Sequence, residues 1–445
     1  MQLKYLNSAT VIVSNGKKKV LCDPWLKDGA YYGSWCHYPP LNIDISDYFD
    51  VDYIYISHVH PDHLNVDTLK LFPKNIPILI HNYEQKFVFR ILNMLGFTNI
   101  IEIDHKKEFY LDKYFSIEIL AADNCNAEKC GLFIGCISKS KSGKSQSIDS
   151  LAVFKSKNSV LVNTNDCPFE MTTGVLKYIK DKYKNIDMLL TGYLGAGPYP
   201  QCFPKLNKTQ KKEAAEEKKE FFYLQALNFV QFLNPRYFMP FAGKYTLSGR
   251  LINLNQWKGN PEMEEVIVDL KEMIDKKGIE SKMIVLSRFT QVDILDHNII
   301  SNYTFINEKE KKKYISEKLA KVKFTYEQED TLNKRQLEKL LTSAQSRKLN
   351  MQSIYNYYSD WTMYLDIEQD FLIKIPFTKK GISFSEKVSK NKPWIKINLT
   401  PQALYSTLSR KTHWNNLEIG SHLSFMRNKD MHNRAVHYFL NFFHA

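Results

Sequence analysis

The sequence predicts a layered α/β sandwich over residues 1–300, followed by a smaller α+β domain over residues 301–445. Three observations lead to this fold class. Short apolar strands flank Asn15-Gly16, the strongest two-residue hairpin signal. Strand and helix patterns then alternate from residue 76 onward, as they do in layered α/β proteins. After residue 300, a Lys/Glu-rich helical region and an aromatic segment replace that pattern.

The individual elements follow from local patterns. Short apolar runs predict strands at 10–13, 19–22, 53–57, 151–154, 160–163, 188–190 and 236–239. The strands at 151–154 and 160–163 form a second hairpin around a polar turn. Helical periodicity predicts helices at 66–72, 84–95, 174–183 and 210–233, the last one stopped by Pro235, and a helix pair within 307–348.

Composition narrows the function. No run of 18 apolar residues and no secretory signal is present, so we expect a cytoplasmic protein without a membrane role. The formal charge of +13 comes from 52 Lys and only 9 Arg, interleaved with Glu, which is typical of solvated helix faces. We therefore expect an anionic small-molecule substrate and no nucleic acid. Seven cysteines without a CxxC pair indicate free thiols in a reducing compartment.

The densest group of metal-type ligands follows the strand at 53–57. Alternate residues of an extended segment point the same way, which puts His58 and His60 on one side of the chain. Asp62 and His63 come after the turn at Pro61. Imidazole nitrogens with a hard oxygen ligand suit a catalytic metal. The stretch predicts one or two divalent ions, with His58 and His60 on one and Asp62 and His63 on the other.

This stretch resembles the HxHxDH signature of the metallo-β-lactamase fold, an αβ/βα sandwich. The resemblance implies two further roles. Asp23 stands where the family has an aspartate that supports the metal ligands, and Asp166 stands where it has a metal-bridging aspartate. An ionised carboxylate between two cations would offset their mutual repulsion.

One branch of the fold is more similar. The stretches Asp23-Pro-Trp-Leu26, Ile54-Tyr-Ile-Ser-His58, Gly195-Ala-Gly-Pro-Tyr-Pro200 and Pro240-Phe-Ala-Gly243, together with Asn163-Thr164 and Asp166-Cys167, resemble the catalytic part of the CMP-N-acetylneuraminate hydroxylase family. That resemblance implies iron, supplied with electrons by a Rieske domain. The sequence holds no pair of Cys-x-His and Cys-x-x-His motifs, so we expect a separate electron-donor protein.

The chain departs from the hydrolases of this fold in its histidines. None lies between His105 and His297, where those hydrolases take further metal ligands. Either a single metal is bound or carboxylates substitute, with Asp123 preferred to Asp149 because it ends a predicted strand. A site rich in oxygen ligands favours iron or manganese over zinc.

Substrate contacts are expected in three places. The glycine-rich run after the strand at 188–190 would let Gly195 and Gly197 approach an anion, with Tyr199 as a cover, although a structural turn explains the run equally well. After the strand at 236–239, Lys244 or Arg250 would bind a phosphate or carboxylate. In the polar cluster at 410–422, His413 and His422 would contribute a ligand or a proton-transfer group, or would only stabilise a domain contact.

Three functions remain open from the sequence. We favour an iron-type oxygenase or hydroxylase acting on an anionic polar metabolite such as a nucleotide-linked sugar. A hydrolase using metal-bound hydroxide on a lactone, amide or phosphodiester is the alternative. A binding protein with a decayed site ranks last, because His58, His60, Asp62, His63 and Asp166 all remain.

Overall fold

In the computed structural model, the described residues are 1–122, 148–157, 159–328, 333–368, 370–428 and 433–445. Two seven-stranded sheets form the first part of the chain. Apolar side chains between them, including Val13 and Leu79 from one sheet and Ile117 and Phe154 from the other, form a shared buried core. The two sheets therefore pack face to face as a sandwich.

The first sheet holds seven strands in the order β16-β1-β2-β3-β5-β6-β7. Their bounds are β1 Gln2–Asn7, β2 Thr10–Ser14, β3 Lys19–Cys22, β5 Tyr53–Ile56, β6 Ile78–His81, β7 Ile100–Ile103 and β16 Gln291–Asp293. The predicted first hairpin is confirmed, since β2 and β3 pair antiparallel and Gly16 takes a φ of 85° in the turn. Strands β3, β5, β6 and β7 are parallel, so their carboxyl ends meet at one edge.

The second sheet has the order β15-β13-β12-β11-β10-β9-β8. Its strands are β8 Glu108–Asp112, β9 Phe115–Ala121, β10 Ser150–Ser156, β11 Ser159–Asn163, β12 Met188–Gly192, β13 Tyr237–Phe241 and β15 Lys282–Met283. The second predicted hairpin is the antiparallel pair β10 and β11. Strands β11, β12 and β13 are parallel and buried, as their nearly continuous apolar sequences require.

Helices cover both outer faces. Helices α1 Val66–Leu69 and α2 Phe87–Met94 pack on the first sheet. Helices α3 Thr173–Lys182, α4 Lys208–Leu233 and α5 Met263–Lys277 pack on the second. The layer order is helix, sheet, sheet, helix, which is the predicted αβ/βα sandwich. A short two-stranded sheet joins β4 Trp35–Cys36 to β14 Thr246–Leu247.

The remaining chain forms helix α6 Glu308–Glu317, helix α7 Lys334–Ile354 and a five-stranded sheet. The strands of that sheet are β17 Thr362–Asp366, β18 Leu372–Pro376, β19 Ser383–Ser385, β20 Trp394–Asn398 and β21 Ser424–Arg427, and helices α8 Pro401–Leu408, α9 Trp414–Ile419 and α10 Arg434–Leu440 accompany it. Their buried core also contains Trp25 and Tyr31, which come from the segment between β3 and β4, and Trp35 of β4. Among the described residues, no helix combines the length and the apolar character needed to cross a bilayer.

Several predicted bounds differ from the structure. The helix expected at 84–95 spans only Phe87–Met94, and the helix expected at 66–72 spans Val66–Leu69. Strand β16 was not predicted, because its pairing with β1 joins residues almost 300 positions apart and leaves no local signal. Asp123 and Cys125 lie outside the described residues, as does most of the predicted surface loop at 138–148.

Candidate metal centre

The candidate ligands lie where strands of both sheets end. Asp23 follows β3, His58 comes two residues after β5, and Asp166 comes three residues after β11. Strands β3 and β5 are parallel neighbours in the first sheet, whereas β11 belongs to the second. The sandwich therefore brings residues that are more than a hundred positions apart in the chain to one edge.

These side chains form one compact cluster. Ligand atoms of His58, His63 and Asp166 all lie within 4.8 Å of one another. The Nε2 of His58 lies 2.9 Å from the Nδ1 of His60. The Nε2 of His63 lies 3.3 Å from an oxygen of Asp166 and 3.6 Å from an oxygen of Asp62. The predicted ligands of the two strand-end loops thus meet in a single site.

Asp23 orients two of the histidines. Its carboxylate accepts hydrogen bonds from the backbone N–H of Ser57 at 2.7 Å, from the Ser57 hydroxyl at 2.6 Å and from the Nδ1 of His63 at 2.8 Å. The Ser57 hydroxyl donates to Asp23, so it can accept from the Nδ1 of His58 at 2.9 Å. His58 then presents an unprotonated Nε2 to the cluster, and the Nε2 of His63 would bind a metal once its proton has left.

The second part of the chain orients His60. The Nε2 of His60 donates to the amide oxygen of Asn415 in α9 over 3.3 Å, which leaves its Nδ1 unprotonated. Two nitrogen lone pairs, from His60 and His58, then face each other at 2.9 Å. Two nitrogens bound at right angles to one ion at about 2.1 Å would lie about 3 Å apart. The residues therefore fit a metal ion.

The charges of the cluster agree with this fit. Burial lowers the pKa of His58 well below its usual value, so this histidine stays neutral. Burial also opposes the charged form of His63, but the carboxylates of Asp166, Asp62 and Asp23 outweigh it and raise its pKa well above normal. The site concentrates negative charge around the buried Nε2 of His63. This nitrogen makes no hydrogen bond of good geometry with any described residue. A cation would neutralise that charge.

Asp149 adds a further carboxylate near the cluster. It immediately precedes β10, whose first residue, Ser150, donates to the backbone carbonyl of Ser57 at 2.7 Å. Burial and the nearby charge of Asp166 raise the pKa of Asp149 to about 7. Asp149, one of the two carboxylates considered as replacements for the missing histidines, thus lies close enough to Asp166 to feel its charge, whereas Asp123 lies outside the described residues.

A chain of hydrogen bonds runs from Asp62 through Tyr31, His422 and Tyr326 to Arg250. The Tyr31 hydroxyl donates to an oxygen of Asp62 at 2.8 Å, and the Tyr31 carbonyl accepts from the Nε2 of His422 at 2.8 Å. The Nδ1 of His422 contacts the Tyr326 hydroxyl at 2.7 Å, which itself accepts from Arg250 at 2.7 Å. Both ring nitrogens of His422 are used in this chain, so a role as metal ligand is excluded, and Arg250 contacts protein groups there.

His413, the other histidine predicted to contribute from the segment 410–422, makes no hydrogen bond to the cluster among the described residues. His413 is exposed, and its backbone N–H donates to the Tyr32 hydroxyl at 2.7 Å. Asn415, two residues further on, makes the contact with the metal cluster. Within the segment 410–422, the amide of Asn415 contacts the cluster, whereas the hydrogen bonds of His413 and His422 go to Tyr32, Tyr31 and Tyr326.

The glycine-rich run has a packing explanation. A Cβ atom on Gly195 would lie 1.7 Å from the ring of Phe222 in α4, so only glycine fits without a shift. Gly197 has a φ of 108° and open space around it. Tyr199 is 40% exposed and packs edge-to-face on Phe203 at 5.2 Å. Packing against Phe222 therefore explains the glycine at 195 without a substrate. A substrate role for Gly197 and Tyr199 stays a prediction.

Comparison with known proteins agrees with this geometry. The family model described as "Beta-lactamase superfamily domain" matches residues 2–122. The chain carries a metallo-β-lactamase-fold domain. It is also homologous to the cytidine monophosphate-N-acetylneuraminic acid hydroxylase of Danio rerio, with 27% identity over 280 residues that cover 60% of this chain and 42% of that protein.

Two other proteins are similar over smaller shares or more distantly. A putative Rieske 2Fe-2S iron-sulfur protein of Mycolicibacterium smegmatis is 34% identical over 104 residues, 23% of this chain and 20% of that protein. The crystal structure of an isothiocyanate hydrolase from Delia radicum gut bacteria superposes with a TM-score of 0.44 and 16% identity, covering 66% of this chain and 99% of that one. The metallo-β-lactamase-fold chain thus spans less than half the length of these two curated relatives.

Two residues of the site escaped sequence reasoning. Tyr31 supports Asp62, yet a tyrosine in a loop carries no spacing signal. Asn415 lies within the polar cluster that drew attention for its histidines, and its amide was not singled out. The long separation from His60, 355 positions, is the reason: only the packing of the second domain makes them neighbours.

Proposed function

We propose that this protein is an iron-dependent hydroxylase of an anionic polar metabolite, such as a nucleotide-linked sugar. The similarity to cytidine monophosphate-N-acetylneuraminic acid hydroxylases over 60% of the chain carries the proposal. The donor set supports it, because the carboxylates of Asp166 and Asp62 lie beside the histidines, and hard oxygen donors suit iron.

The overall reaction balances with an outside reductant. A C–H group, dioxygen, two electrons and two protons give C–OH and water. Iron supplies the dioxygen chemistry when it is bound, and we propose that a separate protein delivers the electrons.

The residues of the chain would hold and surround the metal. His58, His60, His63 and Asp166 would be ligands, and Asp62 would accept a hydrogen bond from Tyr31 beside them. The side chain of Asp166 is 34% exposed, so the cluster remains open on that side. This opening would admit dioxygen and the substrate, while the buried His58 and His63 keep the opposite side dry.

The test is a metal and oxygen assay on anaerobically purified protein. We expect iron at one or two equivalents, dioxygen uptake with a chemical reductant, and transfer of one ¹⁸O atom from ¹⁸O₂ into an anionic sugar nucleotide, read by mass spectrometry. The His60→Ala variant should lose uptake, whereas the matched His297→Ala variant, which changes an exposed histidine outside the cluster, should keep it.

A different result would reverse the proposal. Stoichiometric zinc without iron, combined with cleavage of lactone or phosphodiester probes in the absence of dioxygen, would identify a hydrolase. Absence of bound metal after reconstitution with iron, manganese and zinc would indicate a binding protein.

A further inference from the structure

A cavity that is separate from the metal cluster lies beside the metal centre. It has a volume of about 670 Å³ and is lined by the turn between β1 and β2, by the loop after β13 and by the segment 303–318. No residue of the metal cluster lines it. One of its wall residues, Tyr245, stacks on Trp35 at 3.5 Å, and Trp35 packs on Tyr31 at 4.4 Å, so a layer of aromatic rings separates the two sites.

Four buried polar side chains of this wall lack a hydrogen-bond partner among the described residues. They are the Nδ2 of Asn7, the Oγ of Ser8, and the hydroxyls of Tyr193 and Tyr245. Each of these residues is at most 3% exposed. Buried polar groups are nearly always paired in folded proteins, and these four border one cavity. Each atom has less than 1 Å² of accessible surface, so a bound molecule would supply the missing hydrogen bonds only after a small shift of these side chains toward the cavity.

A cationic group faces the same space. Arg288 lines the cavity and donates to the backbone carbonyls of Tyr38 and Pro39. Within the described part of the chain, no carboxylate lies within 4 Å of its guanidinium group, so its charge is uncompensated by an ion pair. Lys244 also lines the cavity but already pairs with Glu262 at 2.6 Å, which leaves Arg288, Lys313 and Lys318 against Glu310 and Glu317. An anion would complete this arrangement.

We propose that this cavity binds a small anionic, hydroxylated molecule of the size of a sugar acid or sugar phosphate. Arg288 binds the anionic group, and the side chains of Asn7, Ser8, Tyr193 and Tyr245 bind hydroxyl groups. The volume lies within the range of about 300–1,000 Å³ that is typical of small-molecule sites. The site is separate from the metal cluster, so binding requires no metal.

The test is calorimetric titration of metal-free protein at low ionic strength with D-glucuronate, glucose 6-phosphate and uncharged glucose. We expect saturable binding of at least one anion and weaker binding of glucose. A charge-assisted hydrogen bond corresponds to about 10- to 100-fold in affinity. Arg288→Gln should therefore weaken anion binding by about that factor, Arg288→Lys should weaken it less, and Arg90→Gln, which changes an exposed arginine on α2, should leave it unchanged.

Tyr193→Phe gives a second, independent readout. We expect about 2- to 10-fold weaker binding from the loss of one hydrogen bond. The melting temperature of the ligand-free variant should stay equal or rise, because the removed hydroxyl is buried without a partner. Binding by only one of the two anions supports the proposal and identifies the anionic group as carboxylate or phosphate.

Two outcomes would overturn the proposal. Either neither anion binds saturably, or glucose binds as tightly as the anions and Arg288→Gln has no more effect than Arg90→Gln. The metal centre is tested apart from this cavity: a variant with His58→Ala and His60→Ala should lose metal but keep anion binding. Failure of the hydroxylase assay therefore leaves the titration as an independent measurement.

Discussion

Replacing Asn415 tests whether the second domain completes the metal centre. Its amide oxygen accepts from the Nε2 of His60 at 3.3 Å and thereby leaves the Nδ1 of His60 free toward His58. Asn415→Ala removes the acceptor. Alanine is a good helix former, so α9 should remain intact. The variant would then affect how His60 is oriented without removing any of the proposed ligands.

The expected magnitude follows from this one hydrogen bond. A neutral hydrogen bond contributes about 0.5–1.5 kcal/mol, which corresponds to about 2- to 12-fold in a dissociation constant. We therefore expect Asn415→Ala to weaken metal binding by about 3- to 10-fold. Asn415→Asp should bind at least as tightly as the parent, because a carboxylate accepts a stronger, charge-assisted hydrogen bond from His60.

The assay is a competition between the protein and a chromogenic chelator for iron or zinc. Asn416→Ala is the matched control: Asn416 is on the same helix, and its amide contacts the Tyr32 hydroxyl at 3.4 Å, away from the cluster. Equal losses for Asn415→Ala and Asn416→Ala would show that only the domain contact matters. Unchanged affinity for Asn415→Ala would refute the orienting role.

Three further predictions follow. Replacing both His58 and His60 with Ala should abolish stoichiometric metal, measured by plasma mass spectrometry, and retained metal would place the site elsewhere. Burial lowers the pKa of His422 from 6.5 to about 3, so the unfolded chain binds a proton that the folded chain does not, and folding stability is lost as the pH falls below about 6.5. At pH 5 the free energy of unfolding should be lower by about 2 kcal/mol from this cause. Urea unfolding measured across this pH range should show a weaker pH dependence of that free energy in His422→Asn, and an unchanged dependence would contradict this origin. Gly195→Ala should destabilise the protein by about 1–3 kcal/mol, because the added Cβ would clash with Phe222. In a double-mutant cycle, Phe222→Ala should remove most of that additional loss, and equal losses in both backgrounds would show that the clash is absent.

Local patterns predicted most of the elements but few of their bounds. The two hairpins, the buried parallel strands and the long helix α4 each have a clear local signal of turn residues, apolar runs or a capping residue. Helices such as α2 end where tertiary packing ends their apolar contacts, so the predicted span of 84–95 was too long at both ends. Strand β16 was missed because its partner β1 is distant in the chain.

The residues of the site also differ in how far local patterns predicted them. His58, His60, Asp62 and His63 were found because four ligands fall within six residues, a density that chance rarely produces. Asp166 was found only through family resemblance. Asp149 was ranked below Asp123, since the end of a strand was the only available criterion. The effect of the Asp166 charge on the pKa of Asp149 depends on how β10 lies against the loop after β5.

The sequence by itself determined the fold class and the central ligand group, because hydrophobic periodicity and close ligand spacing are properties of neighbouring residues. Tertiary structure decided what surrounds the metal: Asn415 on His60, Tyr31 on Asp62, and the unpartnered polar wall of the separate cavity. These features join residues that are tens to hundreds of positions apart. Their interactions arise only after the sheets and the second domain have packed, so no local pattern in the chain encodes them.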